Sequence, residues 1–149
     1  MNEKTKQAGR KELDAWIKKN LNAAVHKLMA RGSIDSLVVE GKAAWVLPFQ
    51  VLIGKIRAKD QSGDFEWFIC GELPTDYLES AVAETPREIA RHFAMKWQLN
   101  ASRFLSENPE QNSTQITQDT VAKNLIRNAE DLYSLAEDDR LWLEQKTKH

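Results

Sequence analysis

The chain has 149 residues and a mass of 17.1 kDa, the size of one globular domain, which excludes two sizeable ones. Apolar residues make up 42% and charged residues 29%, close to the average of soluble proteins, so a fibrous or wholly disordered chain is excluded. Cys70 is the single cysteine, which excludes an intrachain disulfide and a cysteine zinc cluster. The polar start and the absence of a long apolar run indicate neither a secretory signal nor a membrane span. We therefore expect a cytoplasmic protein.

The charge is unevenly distributed although the net charge is only −1. Residues 1–31 hold eight Lys or Arg against three Asp or Glu, whereas residues 107–149 hold five against nine. A basic first helix could bind nucleic-acid phosphates, but a pI near 6.3 and the lack of a nucleic-acid-binding motif argue against that partner. Pairing between the basic and acidic segments of the same chain explains the charges better.

The first predicted element is an amphipathic helix within residues 11–31. Arg31 in the last turn and Gly32 after it mark the helix end. Its apolar positions recur every three or four residues. They are Leu13, Trp16, Ile17, Leu21, Ala24, Val25 and Leu28.

Three β segments follow, at residues 37–39, 44–58 and 65–70. Glu40-Gly41-Lys42 reads as a turn, and residues 59–64 read as a hairpin loop. Pro48 cannot donate a ladder hydrogen bond, so the strand there is an edge, bulged or interrupted. The connections are too short for a helical crossover, which predicts a three-stranded antiparallel meander. Residues 71–77 leave the sheet through a proline turn, and no structure is assigned up to residue 84.

Two further helices complete the chain. Thr85-Pro86-Arg87-Glu88 has the pattern of a capping box with proline at the first helical position, and an apolar stripe follows it to about residue 107. A third helix is predicted from about residue 117 to 136, and the apolar segment around Trp142 is expected to pack back on the domain.

The predicted fold class is α+β, with the three amphipathic helices packed on the three-stranded meander in the order helix, three strands, helix, helix. The predicted boundaries are a flexible N-terminal segment over residues 1–10, one domain over residues 11–143 and a flexible C-terminal end over residues 144–149. A possible homodimer would pair the edge strand next to Pro48, or the face of the last helix, with its copy.

The usual catalytic and cofactor motifs do not occur in the sequence. No glycine-rich phosphate loop is present, and His26, His92 and His149 do not have metal-ligand spacing, so we expect neither a cofactor nor a metal. Cys70 ends an apolar strand and is interpreted as a buried thiol. The alternative, a Cys70 nucleophile with His92 as its base, would require the two side chains to meet. We assign no catalytic residue.

The strongest candidate for ligand binding is the group Asp76, Arg87, Arg91 and His92. Arg87 at a helix N-terminus opposes the helix dipole unless an acidic group or a ligand compensates it. One interpretation is a pocket in which Arg87, Arg91 and His92 bind a carboxylate or phosphate and Asp76 orients one of them. The other is a salt-bridged surface, in which Glu88 pairs with His92, and the arginines pair with Asp76 or Glu84.

Two of the five tryptophans are candidates for contact with a partner. Trp16, Trp67 and Trp97 fall on the predicted inner faces and are assigned to the core. Trp45, next to the Pro48 interruption, and Trp142, near the end of the chain, are the better candidates for exposed contacts.

Gly71-Glu-Leu-Pro-Thr-Asp76 and the helix that starts Pro86-Arg-Glu-Ile-Ala-Arg-His-Phe93 together resemble an uncharacterised family of small bacterial proteins, a domain of unknown function. The resemblance spans residues 16–142. It implies a bacterial, cytoplasmic, stand-alone domain, and it assigns no activity and no role to any residue.

Two functions are consistent with these features. The first is a non-catalytic module that binds another protein, as an adaptor or as the neutralising partner of a toxin-like protein. It rests on the missing catalytic motifs, the divided charge and the two candidate tryptophans. The alternative is a small-molecule binder or enzyme with an anion-binding pocket at Asp76, Arg87, Arg91 and His92.

Overall fold

The computed structural model describes residues 3–31, 39–58, 64–107 and 112–143. They form two compact units, the sheet unit (Met1–Val82) and the helical unit (Ala83–His149). The sheet unit contains α1 (Glu3–Arg31), β1 (Val39–Leu47), β2 (Val51–Ala58), β3 (Glu66–Gly71) and β4 (Asp76–Glu79). The helical unit contains α2 (Pro86–Glu107) and α3 (Asn112–Glu137). Short 3₁₀ turns follow β4 at Ser80–Val82 and α3 at Asp139–Trp142.

The sheet has four antiparallel strands in the order β1-β2-β3-β4, so the predicted three-stranded meander is wrong, whereas the α+β class is correct. The missed strand is β4, where Tyr77 pairs with Phe68 of β3. With four residues after a proline turn, β4 is too short to show a periodic pattern. Its place in the sheet comes from pairing with β3 and from the burial of Tyr77, which is 6% exposed.

The boundaries of the first two strands also differ from the predicted ones. β1 runs through the predicted turn at residues 40–42, and residues 37–38 lie outside the described part of the chain. Pro48, Phe49 and Gln50 form the reversal between β1 and β2, in which Gln50 N donates to Leu47 O at 2.9 Å. Phe49 has a left-handed φ of 62°. The interruption expected at Pro48 is therefore a hairpin turn.

The core of the sheet unit lies between α1 and one face of the sheet. Because side chains alternate along a strand, Leu52 and Ile56 of β2 share this face with Phe68 and Cys70 of β3. Ala24 and Leu28 of α1 and Tyr77 of β4 complete the buried cluster. The Tyr77 hydroxyl donates to Ala24 O at 2.6 Å, which ties β4 to α1.

Gly54 allows two neighbouring groups to come unusually close to β2. A Cβ atom at this position would lie 2.3 Å from Lys42 O in β1 and 2.6 Å from two ring carbons of Phe68. Both groups belong to the packed sheet, so they cannot move aside easily. The absence of a side chain at Gly54 is therefore a packing requirement.

The helical unit is an antiparallel pair of helices, since Arg87 at the start of α2 contacts Ala136 at the end of α3. The predicted start of α2 at Pro86 is confirmed. Thr85 Oγ1 accepts from Glu88 N at 3.2 Å, and Glu88 Oε2 accepts from Glu84 N at 3.1 Å, so the cap extends one residue further than a standard capping box. Within the described ranges, no helix combines the length and apolar character needed to cross a bilayer.

The Gly54→Ala substitution should destabilise the protein by about 3 kcal/mol or more, because the new methyl group would overlap Lys42 O and the Phe68 ring. Urea denaturation of the whole chain measures the change in the free energy of unfolding. Gly9→Ala is the matched control: Gly9 lies in α1 with nothing within 4 Å of its Cβ position, so alanine there should leave stability unchanged or raised. Equal stabilities for the two variants would contradict the packing requirement.

Candidate functional site

The sheet unit carries a cavity of about 260 Å³ lined by Glu40, Lys42, Lys55, Arg57 and Phe65. We call it the cationic cavity. Two of its charged side chains come from β1 and two from β2, while Phe65 immediately precedes β3. The site is thus built by the sheet itself, from strand positions fixed by backbone pairing.

The register between β1 and β2 brings these side chains together. Glu40 lies opposite Arg57 and Lys42 lies opposite Lys55, and directly opposite residues of an antiparallel pair point to the same face. Lys55 and Arg57 are two residues apart on β2 and therefore share that face. It is the face opposite to the one that packs on α1.

Among the described residues that line the cationic cavity, positive charge predominates, because three basic side chains accompany one acidic side chain. The Glu40 carboxylate lies 3.6 Å from Arg57 Nε, and the two side chains are 37% and 41% exposed. An ion pair this exposed contributes at most about 1 kcal/mol and is screened by salt. An anionic ligand would therefore meet a net positive surface rather than a neutralised one.

Two aromatic rings position the Lys55 ammonium group. Lys55 Nζ lies 4.6 Å from the centre of the Phe65 ring and 5.0 Å from that of Trp67. The two rings pack edge to face with their centres 5.4 Å apart. A cation over an aromatic face is attracted by the ring's electrons, so the rings limit the freedom of this long side chain. Lys55 is consequently pre-ordered for binding an anion.

The described residues include no group of three or more His, Cys, Asp or Glu side chains that could hold a metal ion. Cys70 is buried, as predicted, and its Sγ lies 3.7 Å from Asn20 O. Burial raises the pKa of the Cys70 thiol to about 12, because the thiolate would lose its hydration. A thiol with this pKa is a poor nucleophile. His92, its proposed base, is an exposed residue of α2 in the helical unit.

The four ligand-binding candidates fall in different units. Asp76 is the first residue of β4 in the sheet unit, and its Oδ1 accepts from Tyr77 N at 2.8 Å. Arg87, Arg91 and His92 lie on α2 in the helical unit. Their joint role in one pocket stays a prediction.

The two arginines of this group bind the end of α3. Arg87 Nε donates to Ala136 O at 2.8 Å, and its Nη2 lies 2.5 Å from Asp139 Oδ1. Arg91 Nε lies 2.8 Å from Glu137 Oε1. A cation is unfavourable at a helix N-terminus and favourable at a C-terminus, so the end of α3 compensates the position of Arg87 on α2.

The two candidate tryptophans differ in exposure. Trp142 is 2% exposed and its Nε1 donates to Leu135 O at 3.0 Å, so it packs back on α3 as expected and offers little surface to a partner. Trp45 is half-buried on β1, opposite Ile53. Trp45 therefore lies on the same sheet face as the cationic cavity.

Sequence reasoning missed the basic residues of the cavity. The alternation of Lys55 and Arg57 on β2 was a usable signal, because it places both on one face of the strand. The contribution of β1 to the cavity was not recognised, because the sequence at Glu40 and Lys42 was interpreted as a turn rather than as part of a strand. Pairing them with β2 requires the hairpin at Pro48, which the sequence did not indicate.

Arg87→Ala should lower the free energy of unfolding by about 1–3 kcal/mol, because Arg87 has a 17% exposed side chain and its removal leaves Ala136 O without this donor. Arg91→Ala is the comparison: its ion pair is 42% and 43% exposed, and its loss should change stability by no more than about 0.5 kcal/mol. Chemical denaturation measures both. A larger effect of Arg91→Ala would contradict the structural role of Arg87.

The native protein should resist thiol reagents at pH 8. A pKa of about 12 leaves about one thiolate in ten thousand thiols, whereas a pKa of 9.0 leaves about one in ten, so labelling should be at least about 1000-fold slower than in urea. Absorbance after addition of an aromatic disulfide follows the reaction. Rapid labelling of the folded protein would show that Cys70 is accessible and ionised.

Comparison with known proteins gives a family and no activity. The family described as Domain of unknown function (DUF4826) matches residues 10–142. No curated protein and no solved structure matches the chain.

Proposed function

Because the chain belongs to the DUF4826 family, whose function is unknown, we propose a function from its own side chains: it is a non-catalytic module that binds an anionic group of another protein in the cationic cavity. The observation that carries this proposal is the convergence of Lys42, Lys55 and Arg57 on one cavity, in which Glu40 is the one acidic residue of the described lining. We place this module in the bacterial cytoplasm, as the resemblance implies.

A carboxylate is the anion that suits this surface best on a protein partner. Lysine ammonium groups donate charge-assisted hydrogen bonds to carboxylates, each contributing roughly 1.5–3 kcal/mol. Two such bonds correspond to a dissociation constant between about 6 mM and about 40 μM, before the entropy cost of association weakens binding further. The cavity alone therefore supports weak, salt-sensitive recognition, and a specific complex needs further contacts beside it.

The dimensions of the cavity favour a protein group over a free small molecule. Its volume of about 260 Å³ is below the roughly 300–1,000 Å³ typical of small-molecule pockets. Lys42 and Lys55 are exposed, so a side chain presented by a larger partner can reach them. The alternative anion pocket on α2 receives less support, because Arg87 and Arg91 hold α2 against α3.

Titration by heteronuclear NMR tests the proposal. A hexaglutamate peptide is the probe, and succinate and inorganic phosphate are the small-anion comparisons, each at low and at moderate salt. We expect the peptide to shift the backbone amides of Lys42, Lys55 and Arg57, and to bind at least about tenfold more weakly when salt rises from 20 to 200 mM. The Lys42→Gln, Lys55→Gln double variant should lose this binding.

Lys18→Gln, Lys27→Gln is the matched control, since it removes the same charge from exposed positions of α1 on the other side of the sheet. If both double variants lose binding equally, the net charge of the protein and not the cavity determines peptide binding, which would contradict the proposal. Tighter binding of phosphate or succinate than of the peptide would instead indicate a small-molecule site. Circular dichroism verifies that each variant is folded.

A further inference from the structure

We propose that an acidic segment of the partner protein adds as a strand to the open edge of β1, with an acidic side chain beside Lys42 and an apolar side chain beside Trp45. This inference rests on the proposed function and names the form of the ligand. It supplies the additional contacts that the cationic cavity alone lacks.

β1 is positioned to accept another strand. Within the described part of the chain it is an edge strand, because the sheet order is β1-β2-β3-β4 and β1 pairs there only with β2. An edge strand directs alternate N–H and C=O groups away from its sheet, where an extended peptide can bond to them. Lys42, Ala43 and Ala44 are exposed, and the two alanines present only methyl groups beside the strand edge.

Several side chains of β1 lie on the cavity face, and we call three of them the β1 row: Glu40, Lys42 and Trp45. They lie opposite Arg57, Lys55 and Ile53, which alternate along β2 and so share one face. A register shift between Ala43 and Trp45 brings Trp45 onto this face. Without this shift in register, counting by twos from Lys42 would place Ala44 there instead.

The β1 row determines the pattern that an added strand should carry. Side chains on neighbouring strands lie about 4.5–5.5 Å apart at Cβ, so each member of the row would contact one residue of the partner. Lys42 favours Asp or Glu, and the half-buried Trp45 ring favours an apolar residue. Glu40 already lies near Arg57 and needs no charged partner.

Charge favours an acidic partner over a second copy of this chain. Pairing two copies through β1 would bring together two cavities with the same excess of positive charge. The repulsion between these charges rises as the distance between the cavities falls. An acidic segment neutralises that excess. The edge thus selects a partner of opposite charge.

The probe is a seven-residue capped peptide, Thr-Val-Thr-Glu-Thr-Val-Thr, whose valines and glutamate fall on one face in either strand orientation. A version with Gln in place of Glu removes the charge alone. We expect the Glu peptide to bind at least about fivefold more tightly than the Gln peptide at low salt. NMR titrations that follow the β1 amides measure both affinities. Lys42→Gln should abolish that preference, and Lys27→Gln should retain it.

Two N-methylated peptides test the backbone pairing. One is methylated at the threonines, and the other at the valines and the glutamate, so that each has the N–H donors of one strand edge blocked. Antiparallel addition, the orientation of every strand pair in this sheet, predicts that one of them binds and the other does not, because only one edge then faces β1. Equal binding of both, or equal loss of both with intact hexaglutamate binding, would overturn strand addition and leave the proposed function standing.

The remaining outcomes are also decisive. If neither the acidic peptides nor succinate bind, the proposed function fails together with this inference. Analytical ultracentrifugation provides the test for a second copy. A dimer whose formation shifts the β1 amides and displaces the peptide would overturn the acidic partner in favour of self-association.

Discussion

The antiparallel register between β1 and β2 is the constraint on which the rest of the sheet unit depends. A slip of one residue would exchange the two faces of β1, sending Glu40 and Lys42 toward the α1 side. Gly54 protects this register, because only a residue without a side chain lets Lys42 O and the Phe68 ring approach so closely. The same backbone pairing thus produces both the core beneath α1 and the cationic cavity on the opposite face.

The two faces of the sheet meet different requirements. On the α1 face, Leu52, Ile56 and Phe68 exclude water, and the Tyr77 hydroxyl finds a partner in Ala24 O. On the cavity face, Lys55 keeps an exposed charge that the Phe65 and Trp67 rings hold in place. Apolar burial is not confined to the α1 face, because Ile53 of β2 and Trp67 and Ile69 of β3, which share the cavity face with Lys55, are also buried.

Local patterns in the sequence were sufficient to predict the helices but not the strands at the two edges of the sheet. The apolar spacing of α1 and the Thr85-Pro86 start of α2 are signals within one element, and both helices form, although α1 begins at Glu3 rather than at residue 11. β4 depends on pairing with β3, and the first half of β1 depends on pairing with β2 across an unrecognised turn, so neither is defined by a pattern within its own residues. Similarly, the ion pairs of Arg87 and Arg91 reach residues of α3 about fifty positions away, which no local spacing indicates.

The register shift in β1 has an evolutionary consequence. An extra residue at this point is absorbed between Ala43 and Trp45, while the pairs on either side, Lys42 with Lys55 and Val46 with Leu52, are kept. In evolution, the chain can therefore lose this one residue without reordering the sheet, and Lys42 and Trp45 keep their partners on β2.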